Sequence, residues 1–217
     1  MKTFYPALLF VLFSSSSCDN NVISSETENT PENGDLNTSF NEQQSEIEIQ
    51  PEQKIQQEKE KLIADGWQEK DLTNGHLPNC YNFKPKIGDV DNSLEVYVGS
   101  GTDVAIKLMN LESNKCIRYV FINSGTNFSI NNVPEGRYYL KIAYGKDWLS
   151  KVQNGQCVGK FIRNPMYEKG EDILDFNIKY SSDGYSIPSF SLKLDVISSD
   201  ISNSFNSHKI SENDFNQ

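Results

Sequence analysis

An antiparallel two-layer β-sandwich of about seven strands, carried behind a short helix on a polar tether, is the fold this sequence predicts. Three observations carry that expectation. Apolar and polar residues alternate with period two in successive short segments between residues 94 and 196, the pattern of strands that bury one face. Turn residues punctuate those segments, as in GSGT at 99–102 and VPEG at 133–136. Helical periodicity is absent between them.

The best-defined stretch is 133–145, VPEGRYYLKIAYG. Arg137 and Tyr139 alternate with Tyr138, Leu140 and Ile142, behind a turn in which Pro134 presets its φ and Gly136 permits one that a side chain resists. With FINSGTNFSINN ahead of it, residues 117–145 read as a three-strand meander with short connections.

At the amino terminus, Lys2, the apolar run 4–13 and the small residues up to Cys18 have the make-up of an export signal, too short to span a bilayer. A cysteine placed directly after Ser15, Ser16 and Ser17 resembles the bacterial lipoprotein signal, although the commonest form of that signal has Leu three positions ahead of the cysteine. The resemblance implies removal of residues 1–17 and lipid attachment at Cys18. The other reading is an ordinary secretory signal with Cys18 as a bystander, and both readings export the protein.

Residues 18–50 are Asn, Ser, Glu, Gln and Thr with isolated apolar residues, which cannot bury enough surface to offset chain entropy, so a disordered tether is expected. Residues 51–64, PEQKIQQEKEKLIA, are rich in helix formers, with Pro at the first turn and Gly66 beyond the end. Only Ile55, Leu62 and Ile63 are apolar, so this helix, within a connector spanning 51–74, is expected to dock by its last turn and fray at its start, with Trp67 packing nearby. The sandwich itself is expected over 75–197, beginning with an extended lead-in at 75–90.

Within it, Leu94, Val96 and Val98 form one inward set, and Val104, Ile106 and Leu108 the next. Ile117, Tyr119 and Phe121 are then expected to face one way, and Phe128 and Ile130 continue toward the VPEG turn. After Gly145 the pattern stops, so residues 146–170 read as a long irregular loop. It returns at Ile173, Leu174, Phe176 and Ile178, and again at Phe190, Leu192, Leu194 and Val196. Residues 198–217 are polar apart from Ile201, Phe205, Ile210 and Phe215, and a loose tail is expected, with a short helix laid on the domain as the alternative.

Residues 103–145 resemble the carboxypeptidase regulatory-like, transthyretin-like sandwich domains and their collagen-adhesin B-type relatives. The matches are Gly125, Phe128, Ile130, Asn132, Val133, Pro134, Gly136, Tyr138 and Leu140. The resemblance implies a rigid accessory, stalk or binding module without a catalytic residue. Together with the lipidation-like signal and the Asn, Lys, Ser and Ile bias, it implies a cell-envelope lipoprotein of a Bacteroidota-type bacterium, held at the outer membrane or cell surface by its acyl chains.

Chemistry is sparse in the residues. With 20 Lys+Arg against 30 Asp+Glu, a net charge of -10 and no dense basic run, nucleic acid is not an expected partner. His76 and His208 lack a second His or a Cys at metal-ligand spacing, and neither a nucleophile elbow nor a Walker lysine is present. No cofactor is expected. Asp89, Asp91 and Asn92, with Asp103, are weak candidates for a calcium loop, against the plainer reading that Asp and Asn suit tight turns.

Beyond Cys18 there are three cysteines, Cys80, Cys116 and Cys157. An exported chain would pair two of them, and Cys80 with Cys157 is favoured because both lie in segments that need fixing, the two pairings of Cys116 remaining open. Trp148, Phe161, Arg163 and Tyr167 in the 146–170 stretch are the candidate ligand contacts, since aromatic faces beside cations suit a glycan or a protein partner; the competing reading has the aromatics cover an open end of the sandwich. The functional expectation is therefore a non-catalytic binding or adhesion module. A structural subunit of a surface assembly is the alternative, and a hydrolase using Glu168, Glu171 and Asp172 the remote one.

Overall fold

The computed structural model describes residues 50–77, 80–197 and 200–217. The expected signal segment, Cys18 and the tether through residue 49 lie outside them. The chain forms a two-layer β-sandwich. The first sheet is built on β3 (Asp103–Asn110), β4 (Cys116–Ile122), β6 (Arg137–Gln153) and β7 (Gln156–Gly170), with β13 (Ser207–Lys209) at one edge in the order β13-β7-β6-β3-β4. Two-residue strands β1 (Gln68–Glu69) and β8 (Leu174–Asp175) pair with opposite ends of β6. In the second sheet the order is β12-β11-β2-β5, from β2 (Ser93–Val98), β5 (Asn127–Asn131), β11 (Phe190–Ile197) and β12 (Asp200–Asn203). The remaining strands β9 (Lys179–Ser181) and β10 (Gly184–Ser186) form a separate ribbon.

The inward sets read from the sequence make the core between the sheets. Val104, Ile106 and Leu108 of β3 and Tyr138, Leu140 and Ile142 of β6 meet Leu94, Val96 and Val98 of β2 and Leu192 and Leu194 of β11. Asn92 pins the turn leading into β6: its side-chain oxygen accepts from Val133 N–H at 2.7 Å and its amide donates to Val133 O at 2.9 Å. Tyr138 closes the same turn from the other side, its hydroxyl donating to Pro134 O at 2.9 Å. Burying both groups is favourable only because each polar atom is matched.

Several expectations are corrected. Residues 117–145 are not a meander: β4 and β6 each pair with β3, whereas β5 pairs with β2 in the other sheet. The short connection through Gly125, at φ 67°, carries the chain between layers, and its N–H donates to Gly99 O at 2.9 Å. Ile117 does not share a face with Tyr119 and Phe121, because the register shifts between Leu108 and Met109. That bulge inserts one residue and turns Ile117 toward the inter-sheet core. The sheets are antiparallel except where β11 runs parallel to β2. Only Leu174–Asp175 of the expected 173–178 strand is paired.

The largest correction concerns residues 146–170. They are not a loop but the greater part of the β6–β7 hairpin, joined by Asn154 at φ 52° and Gly155 at φ 77°, the two left-handed residues of a type I′ turn. A bulge between Tyr144 and Lys146 bends this hairpin at Gly145. Beyond the bend, Trp148 and Phe161 lie against Ala105 and Phe121 on the outer face of the first sheet. Leu149 and Ile162, on the opposite face of the hairpin, pack under Trp67 and Leu62.

Helix α1 (Pro51–Ala64) has the predicted bounds, but its start is tied down as well as its end. Glu52 of its first turn pairs with Arg163 of β7 at 2.9 Å, and Lys59 pairs with Glu69. Nor is the C-terminal segment loose. After β12 and β13 it ends in helix α2 (Glu212–Asn216), started by a capping box between Ser211 and Asp214, with Phe215 fully buried on the outer face of the first sheet.

Candidate functional site

The side chains singled out for ligand contact come together, but inward. Trp148 is 3% exposed, Phe161 1% and Tyr167 8%. The Trp148 and Phe161 rings meet edge-on with centroids 4.8 Å apart, and Phe121 meets Trp148 at 6.2 Å. Gly159 makes room for them, since a Cβ there would stand 2.2 Å from Trp148 Cζ2. Tyr167 packs on Phe215 at 5.6 Å, and its hydroxyl donates to Glu212 at 3.4 Å. Burial raises its phenol pKa, and the Glu212 carboxylate adds to the shift. Arg163 is held by Asp147 at 3.1 Å and by Glu52. These residues clamp the hairpin onto the sheet and offer no exposed platform for a ligand.

A disulfide joins Cys80 to Cys157, with Cα atoms 5.4 Å apart. It fastens the tip of the β6–β7 hairpin to the lead-in segment, whose Leu77, Tyr81 and Phe83 pack, with Leu72 of the connector, on the outer face of the first sheet. Cys116 stays a thiol, donating to Arg118 O at 3.0 Å. Burial pushes its pKa up to about 11, which makes it a poor nucleophile.

The calcium candidates do not converge. Asn92 precedes β2 and is spent on Val133, whereas Asp103 lies past the other end of that strand. Asp103 Oδ1 accepts from Ser124 N–H and from Lys146 Nζ, each at 2.8 Å. Among the described residues no group of three or more His, Cys, Asp or Glu is placed to hold a metal ion. The acidic residues considered for hydrolysis are likewise spread over separate structural tasks. Glu168 is buried and accepts from Tyr144 Oη at 3.1 Å. Glu171 meets His208 at 3.1 Å, and Asp172 accepts from Asn206 N–H at 2.9 Å.

Two lysines hold helix α2 by its carbonyls. Lys107 Nζ donates to Phe215 O and Lys141 Nζ to Asp214 O, both at 2.6 Å. Lys107 also lies over the Phe215 and Tyr119 rings, 4.8 and 5.1 Å from their centroids. Burial pulls its ammonium pKa down to about 8, and the Lys141 ammonium acts in the same direction.

Aromatic surface is exposed elsewhere, on the β9–β10 ribbon. Tyr180 and Tyr185 are cross-strand partners, 79% and 68% exposed, with ring centroids 6.3 Å apart and planes inclined at 49°. Every residue from 179 to 187 is exposed, Ile187 included. The sequence signal was there, an Asp183–Gly184 pair between two tyrosines, which is a hairpin signature. The comparisons add no relative: no protein-family model, no curated protein and no solved structure matches this chain.

Proposed function

We propose that this chain is an exported, lipid-anchored and non-catalytic binding module that meets a protein partner through the β9–β10 ribbon. The observation that carries the reading is the exposed Tyr180–Tyr185 pair. Tyrosine supplies a large contact area with a polar tip at low entropic cost, which is why it is enriched at interfaces. Because the two rings are inclined at 49°, they do not offer one flat surface for stacking a sugar, and a protein surface fits them better. The export part of the reading is supported by the Cys80–Cys157 disulfide, a bond that persists in oxidising compartments.

Photo-crosslinking tests the binding role. A benzophenone amino acid placed at position 180 or 185 in producing cells is expected to trap one discrete protein, whereas the same group at exposed Val152 does not. An identical crosslink pattern at all three positions, or none at 180 and 185, would overturn it. The address is tested separately by acyl labelling. Palmitate incorporation is expected in the wild type and absent in Cys18→Ala, which lacks the thiol that would carry the lipid. Equal labelling of both chains would refute lipid attachment at Cys18.

A further inference from the structure

We propose that the groove between the lead-in segment and the edges of β4 and β5 binds a molecule carrying one carboxylate on a flat aromatic body, with Arg118 as its anchor. The lead-in touches the edge of β4 at two points: Gly75 N–H donates to Phe121 O at 2.8 Å, and Lys86 N–H to Ile117 O at 3.0 Å. Between those points a cavity of ≈ 480 Å³ remains, within the size range of small-molecule sites. Tyr81, Phe83, Tyr119 and Phe128 are among its walls, with Ile87 on its rim and Arg118 in its lining.

Arg118 is 5% exposed, and no carboxylate among the described residues pairs with it. Its three hydrogen bonds go to main-chain carbonyls: Nη1 donates to Ile117 O at 3.3 Å, and Nη2 donates to Asn131 O at 3.3 Å and Asn132 O at 3.0 Å. A guanidinium has five N–H donors, so Nε–H and the second Nη1–H are not used by these bonds. Carbonyls satisfy hydrogen-bond geometry but carry no net charge, and a buried cation without a counter-ion is costly. Acids are not scarce in a chain with 30 of them against 20 bases, yet no Asp or Glu among the described residues lines this groove. Burial holds the guanidinium below its usual value, with Tyr138 acting in the opposite direction. The missing charge is the ligand's to supply.

The walls define the rest of the ligand. Tyr81 and Phe83 both stand edge-on to Tyr119, with centroids 5.1 and 6.5 Å away, and a flat ring entering beside them gains aromatic contact. Lys84 and Lys86, exposed on either side of Pro85, favour approach of an anion to this side of an acidic molecule.

Calorimetric titration of the full chain with indole-3-acetate and indole-3-acetamide tests the proposal. The acid is expected to bind about tenfold tighter than the amide or better, the size of one charge-assisted hydrogen bond, and Arg118→Gln, which removes the charge, to abolish that difference. Because Arg118 also serves three carbonyls, a second variant guards against misfolding. Ile87 is 72% exposed, so Ile87→Glu leaves the fold intact while placing a like charge at the mouth, and it is expected to weaken the acid about threefold or more. A peptide ending in Phe, as free acid and as amide, separates the sources. Tighter binding of the peptide acid than of indole-3-acetate assigns the groove to chain ends, and the reverse assigns it to free aromatic acids. Equal binding of acid and amide, no binding of either acid, or an Ile87→Glu protein that binds the acid as well as the wild type would show that Arg118 is a structural clamp only.

Discussion

Trp148→Ala is expected to cost about 3–5 kcal/mol of folding stability, the range for deleting a buried aromatic side chain, and to unfold a substantial part of the population if the wild type sits at the low end of the usual 5–15 kcal/mol. The indole fills the space left by the absent side chain of Gly159 and meets Phe161 and Phe121, so its loss opens a cavity at the bend of the hairpin. Trp148→Phe is expected to cost much less. Nε1 is buried without a partner among the described residues, and deleting an unsatisfied donor removes a desolvation penalty that offsets part of the lost volume. Urea unfolding followed by far-ultraviolet circular dichroism measures both. A Trp148→Ala protein within 1 kcal/mol of wild type would mean that the hairpin does not depend on this contact.

The same residue explains why the hairpin was hard to read. Period two is visible where a strand buries one face, as in Leu94, Val96 and Val98 of β2, whose neighbours Glu95 and Tyr97 are exposed. Past Gly145, however, the β6–β7 hairpin is buried on both faces: Trp148 and Phe161 go down onto the sheet, and Leu149 and Ile162 go up under Trp67. Apolar residues therefore stand next to each other, alternation vanishes, and the bulge at Gly145 breaks the phase of what remains. The cue that survived was Asn154–Gly155, the strongest short hairpin signal, masked by the polar residues Gln153 and Gln156 around it. Strand existence was thus legible wherever one face met water. Pairing was not, because nothing local distinguishes a turn that returns within a sheet from one that crosses between sheets, as at Gly125.

For the candidate sites the lesson runs through burial. Aromatic residues beside cations read as a platform in a loop, but once residues 146–170 form paired strands the same residues become the cover of the outer face. Lys151 and Lys160 are drawn in too, lying 5.2 and 5.1 Å from the Trp67 ring centroid and so shielding it rather than a ligand. Of the features that stand out in the structure, Tyr180 and Tyr185 are marked locally only by the Asp183–Gly184 hairpin signal, which says nothing of their exposure, and buried Arg118 by no local pattern at all. Exposure and the lack of a counter-ion are tertiary properties, and one tyrosine in a short polar run or one arginine in a strand does not announce either.

Loss of the Cys80–Cys157 disulfide is the second large effect expected. The two cysteines are 77 residues apart, and chain entropy for a loop of that size gives a stabilisation of about 4.5 kcal/mol, within the 2–5 kcal/mol commonly lost when a native bridge is removed. The bond also acts locally, for it holds the hairpin tip against the lead-in whose Tyr81 and Phe83 cover Tyr119. Cys80→Ala/Cys157→Ala is therefore expected to lower the urea midpoint by about 1–2.5 M, taking a slope of about 2 kcal/mol/M for a domain of this size. Reduced and alkylated wild type should behave alike. Cys116→Ala should leave the midpoint within a few tenths of a molar of wild type, since that thiol makes one weak hydrogen bond at the start of β4. Peptide mapping of the oxidised protein is the direct control. A bridge that includes Cys116 would refute the Cys80–Cys157 pairing, and a Cys80→Ala/Cys157→Ala protein with an unchanged midpoint would show that the hairpin is held by Trp148, Phe161 and Leu149 alone.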